Sequence, residues 1–143
     1  MSYKKDFKTK MIKRYCIENA KSSSELLQNE MISEVINDFY NTNYKSTAAR
    51  SRYLRAMLNF IIYIVENTKV NKVKNIKWYH VREYTFYLLN KTKSDGEKLS
   101  NTYINTEING VFYYLNLKKV NNPKLKLGAA ALINEVQLKH ERR

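Results

Sequence analysis

Apolar residues recur along this chain three and four positions apart, the spacing of one face of a helix, with polar stretches between them. At 22–25, Ser-Ser-Ser-Glu reads as a helix start in which Ser22 caps the free amides while Glu25 reaches back. Leu27, Met31, Val35 and Phe39 then follow four apart as one buried stripe, and the pattern stops at Asn41-Thr42-Asn43. A second helix starts at Ser46 or Thr47 and runs to about Thr68, with Tyr53, Met57, Phe60, Ile61 and Ile64 on its buried face. Arg52, Arg55 and Asn59 share another face of it. Residues 69–76 form a polar, lysine-rich connection, and a third helix over about 77–91 buries Trp78, Val81, Tyr84, Leu88 and Leu89.

Lys91 to Lys98, with Asp95-Gly96, is the clearest loop. Ser100 caps a fourth helix whose core positions are Ile104, Ile108, Val111 and Leu115. Its opposite face is polar but uncharged: Thr102, Asn105, Thr106, Asn109 and Tyr113. Gly110 sits mid-helix at a cost of about 1 kcal/mol relative to Ala, which close helix packing would explain. Asn121-Asn122-Pro123 ends that region, because the residue before proline avoids helical angles. A last helix from Ala129 to about Glu141 places Leu132, Val136 and Lys139 in line. Residues 1–21 read as a basic arm with a short helix over Met11 to Ile17. The expectation is an all-α chain: an arm over 1–21, a helical domain over 22–123 and a linker with a short helix over 124–143.

Composition narrows the class. Three glycines and one proline cannot punctuate the turns of a sandwich or barrel. The longest apolar run, Phe60 to Val65, is far short of the ~20 residues a membrane span needs. The N-terminus has no apolar signal core, so the expected location is cytoplasmic. Cys16, His80 and His140 are too few for a zinc site, and nothing calls for a cofactor.

Charge points to a partner. The chain carries 26 Lys and Arg against 13 Asp and Glu, a net charge of +13. Residues 22–40 hold Glu25, Glu30, Glu34 and Asp38 with no base, so the surplus lies on either side of them. Such a surplus attracts a polyanion, because each Lys or Arg on a phosphate releases condensed counterions. Nucleic acid is the commonest such partner, an anionic membrane surface is the alternative, and plain solubility is the bland reading.

The order of the pieces resembles the N-terminal core-binding domain of tyrosine recombinases, the phage integrase family. Four stretches carry the likeness. Val35-Ile36-Asn37-Asp38-Phe39-Tyr40 is similar to an opening helix that ends in an aromatic pair. Lys45-Ser46-Thr47-Ala48 with Tyr53, Leu54, Leu58 and Phe60 matches the second. Ile76 leading into Val81, Tyr84 and Leu88 matches the third. Leu99-Ser100-Asn101-Thr102 through Phe112, Tyr114 and Leu115 to Asn122-Pro123 matches the fourth, although Val111 stands where the family often has a basic residue. The resemblance covers about residues 26–123 and implies a SAM-like bundle of about four helices that lays its second and fourth against double-stranded DNA. The matching residues are Lys45, Thr47, Arg50, Arg52 and Arg55 on one side and Lys98, Asn101, Thr102, Asn105 and Asn109 on the other. Arginine pairs with phosphate or guanine, and short amides reach adenine edges. The bland readings are a solvated basic face and ordinary exposed polar residues. The arm's Lys4, Lys5, Lys8, Lys10, Lys13 and Arg14 could track adjacent DNA or form a solubilising tail.

The family's chemistry needs an arginine, a His-x-x-Arg pair and a tyrosine nucleophile in a separate domain, and only 20 residues follow Pro123. His140-Glu141-Arg142-Arg143 spells His-x-x-Arg without a scaffold and reads as chance. The expectation is therefore a non-catalytic binding module. Three versions remain open: the DNA-binding half of a recombinase, a stand-alone regulator on the same scaffold that self-associates or acts alone, and a helical module that binds a protein through its last helix.

Overall fold

The computed structural model describes residues 3–41, 47–118 and 128–141. They form six α-helices: α1 (Tyr3–Tyr15), α2 (Ser23–Tyr40), α3 (Thr47–Asn67), α4 (Trp78–Asn90), α5 (Asn101–Leu117) and α6 (Ala129–Glu141), with a short 3-10 turn over Val73–Asn75. Among the described residues there is no β-strand, only one isolated bridge between Thr92 and Lys98. The fold is all-α. The chain divides into two compact units, Met1–Asn75 and Ile76–Arg143.

In the first unit α2 packs on both α1 and α3. The capping box at the start of α2 forms as the sequence predicts. The Glu25 amide donates to Ser22 Oγ at 3.1 Å, and the Ser22 amide donates to Glu25 Oε1 at 3.0 Å. These bonds hold the Glu25 carboxyl below its ordinary pKa range. Met31, Val35 and Phe39 are buried as expected, joined by Ile32 and Ile36, while Leu27 is only half-buried. Each such burial contributes about 1.5–3 kcal/mol, so this face contributes substantially to the stability of the unit.

The segment over residues 1–21 departs from the expectation. Its helix runs Tyr3–Tyr15 instead of Met11 to Ile17, and Met11 is buried. Where the chain leaves α1, Asn29 of α2 clamps it from both sides. The Ile17 amide donates to Asn29 Oδ1 at 2.6 Å, and Asn29 Nδ2 donates to the Ile17 carbonyl at 2.9 Å. Cys16 sits beside this clamp, and burial pushes its thiol pKa up. The apolar pattern of α1 is weak because the helix depends on these tertiary contacts and not on a stripe of its own.

On α3, Leu54, Ala56, Met57, Leu58, Phe60, Ile61 and Ile64 are fully buried and Tyr53 is half-buried. The buried face is therefore wider than the predicted stripe, with about the same centre.

In the second unit α4, α5 and α6 pack against one another. Ahead of α4, the Lys77 amide donates to His80 Nδ1 at 2.8 Å. That bond needs a neutral imidazole, and burial lowers the His80 pKa, with Glu83 opposing and Lys77 adding to the effect. Val81, Tyr84 and Leu88 are buried, whereas Trp78 and Leu89 are half-buried. The Trp78 ring lies against Phe112 of α5 with centroids 5.5 Å apart. Between α4 and α5, Gly96 takes φ +86 and closes a tight turn, its amide donating to the Lys93 carbonyl at 2.9 Å. Ser100 caps α5 by accepting from the Tyr103 amide at 3.1 Å, and Ile104, Ile108, Gly110, Val111 and Leu115 are buried. On α6 the buried residues are Ala129, Leu132, Ile133 and Val136, while Lys139 is exposed, because Ile133 and not Lys139 completes the apolar face. The Asn121-Asn122-Pro123 stop lies outside the described residues.

The cap on α2 gives a direct test. Ser22→Ala should cost about 1 kcal/mol in denaturant unfolding, whereas Ser24→Ala, outside the cap pair, should cost less than about 0.5 kcal/mol.

Candidate nucleic-acid interface

Both units are basic. Fourteen Lys and Arg face seven Asp and Glu over 1–75, and twelve face six over 76–143. Each unit therefore carries a net positive charge. Within the first unit the sign varies by element. Lys10, Lys13 and Arg14 are exposed on α1, whereas Glu30 and Glu34 are exposed on α2. The exposed bases of this unit beyond α1 are Arg52 and Arg55 on α3 and, among others, Lys69, Lys72 and Lys74 in the segment that follows it.

The residues expected on α3 separate into two kinds. Arg52 and Arg55 are exposed, three positions apart on one face, with the half-buried Asn59 in line behind them. A helix that buries seven side chains completely has room for charge only on such a strip. Arg50 differs: it is 7 % exposed, and its guanidinium lies 5.1 Å from the centre of the Tyr40 ring. This cation–π contact ties the end of α2 to the start of α3 and removes Arg50 from the displayed set. Thr47 is the first residue of α3, and Lys45 lies outside the described residues.

On the second unit the polar face of α5 is graded along its length. Lys98 is exposed where the hairpin ends, and Asn101 and Thr102 are exposed in the first turn. Asn105 and Asn109 are half-buried, and the enclosed Asn105 Oδ1 has no hydrogen-bond partner among the described residues. These two amides are thus less accessible than their spacing suggests, because α5 is buried on a broad face that includes Glu107 and Gly110. Glu107 accepts from the Tyr103 hydroxyl at 3.3 Å. The first turn of α5 carries no acidic side chain, so the positive end of its dipole stays uncompensated beside Lys98.

Sequence reasoning did not single out the exposed aromatics of α4 and α5. Tyr79, Phe86, Tyr87 and Tyr103 are each at least 40 % exposed, and Lys91 Nζ lies 5.6 Å from the centre of the Tyr87 ring. Their spacing resembles that of core positions, so only the packing separates them from the buried set. Among the described residues no group of His, Cys, Asp and Glu could hold a metal ion, and no helix is long and apolar enough to cross a membrane.

The division between Arg50 and its neighbours is measurable. Arg50→Ala should destabilise the fold by more than about 1 kcal/mol, through lost packing on Tyr40, whereas Arg52→Ala and Arg55→Ala should each stay within about 0.5 kcal/mol. Thermal or denaturant unfolding of the three variants checks it.

No family model matches the chain, and its comparison with curated proteins and with solved structures gives no match.

Proposed function

We infer that the chain binds duplex DNA without cutting or joining it, as a core-binding module of the phage integrase type. One observation carries this reading: from Arg50 on, α3 buries most of its apolar side chains, and the face it leaves exposed displays Arg52 and Arg55, with Glu66 nearer the helix end. Exposed arginines held on a rigid helix suit phosphate, with guanine as the base they can read. The second unit supports the reading with Lys98, Asn101 and Thr102 around the start of α5, where a helix N-terminus favours a phosphate oxygen. With Asn105 and Asn109 half-buried, Asn101 and Thr102 are the better placed of the four for base edges. In this role the chain needs no metal or cofactor. The resemblance across residues 26–123 supplies the link to recombination, and the recombination chemistry belongs to groups that this stretch does not match.

The version in which the scaffold acts as a stand-alone regulator has one observation in its favour. α6 spends Ala129, Leu132, Ile133 and Val136 on packing within its own unit. That same burial weakens the version in which the last helix docks a protein partner through its apolar stripe.

Four to six phosphate contacts give a slope of log K against log salt of roughly −4 to −5. Arg52→Glu with Arg55→Glu should weaken binding to every duplex and reduce the slope by about two, with the helical fold unchanged by circular dichroism. Fluorescence anisotropy across a salt series reads both. Binding that ignores salt, or a double reversal without effect, would remove the proposal's basis.

A further inference from the structure

An open groove of about 460 Å³ lies within the second unit, between the end of α4, the start of α5 and one residue of α6. Its base is apolar: Ile104 is buried, and Leu89 and Leu99 are half-buried. Phe86, 40 % exposed, lines it as well. Three primary amides, from Asn90, Asn101 and Gln137, and the ammonium of Lys98 supply its polar groups. No carboxylate is among the residues lining it.

This is an unusual set for a surface depression. An apolar base with an exposed aromatic ring offers a stacking surface, and a ring face accepts any base because every base has a π-face. Each amide carries a donor and an acceptor side by side, the pattern that a nucleobase edge requires. Asn90 Nδ2 donates to the Phe86 carbonyl at 2.8 Å, which fixes that amide on α4 and leaves its Oδ1 as an acceptor. Lys98 and the acid-free first turn of α5 favour an anion at the same end of the groove. The volume falls within the ~300–1,000 Å³ of small-molecule sites.

We propose that this groove holds a single nucleotide, with its base against Phe86 and its edge read by Asn90 and Gln137, and with its phosphate at Lys98 and the start of α5. Two sources share that chemistry, a free nucleotide and an unpaired nucleotide swung out of a DNA duplex. The second source rests on the duplex-binding reading; the first does not.

The full-length chain, labelled with nitrogen-15, is titrated with dAMP and separately with inorganic phosphate. The same chain is titrated with a paired duplex and with that duplex carrying one unpaired adenine. The proposal expects dAMP to shift amides across residues 86–90, 98–104 and 137, where phosphate alone shifts only those near the start of α5. It also expects the unpaired adenine to tighten duplex binding at least about fivefold, the lower end of what stacking one base on an aromatic ring gives. Phe86→Ala and Gln137→Leu should each abolish both effects while leaving paired-duplex affinity and the circular dichroism spectrum unchanged. A dAMP response without a preference for the unpaired duplex supports the site with a free nucleotide as its source, even if neither duplex binds and the duplex reading fails. Equal affinity for the two duplexes, together with a dAMP response no different from that of phosphate, overturns the groove proposal while the duplex reading stands. Survival of the effects in both variants overturns it as well.

Discussion

The burial of α3 constrains the rest of the candidate interface. A helix with seven completely buried side chains can carry charge only where packing leaves it exposed, and in α3 that face holds Arg52 and Arg55 and, nearer its end, Glu66. The apolar face of α2 covers part of that helix and turns Glu30 and Glu34 outward on its own far side. The result is an uneven distribution of sign: exposed acid on α2, exposed base on α1, and on α3 Arg52 and Arg55 with Glu66 nearer its end. Arg50 marks the boundary, since the same guanidinium chemistry is drawn into packing by the Tyr40 ring.

Much of this was legible in the sequence because the helices announce their own ends. Ser22 with Glu25, Asn41, Asp95-Gly96 and Ser100 punctuate the chain by mechanisms local to a few residues, and each is found where the pattern places it. Periodicity also located the stripes of α2 and α5. It failed where stability is tertiary. The helix α1 depends on the Asn29 clamp and on burial of Met11, neither of which leaves a periodic signal. It also failed on the width of buried faces. Asn105 and Asn109 were expected to be displayed because they oppose the core stripe of α5, yet a broad buried face leaves them half-enclosed. The groove beside Phe86 was invisible for a related reason, since its residues come from α4, a loop, α5 and α6 and share no motif.

In functional terms the two units contribute different chemistry to one proposed task. The first offers arginine on a rigid, deeply packed helix, suited to charge and to holding a duplex in register. The second offers short polar groups at an uncompensated helix start, with a groove of amides and apolar side chains beside it. Each unit carries a surplus of positive charge, and the second displays Asn101 and Thr102 in the first turn of α5.

Photo-crosslinking tests the central claim most directly. A benzophenone side chain at position 55 of α3, at position 102 of α5 and at position 26 of α2, where Leu26 is 53 % exposed on the acidic helix, compares three accessible sites in one fold. If the chain binds duplex DNA through the surfaces proposed, positions 55 and 102 crosslink to the duplex and position 26 does not. Crosslinking confined to position 26, or equal at all three, would contradict it.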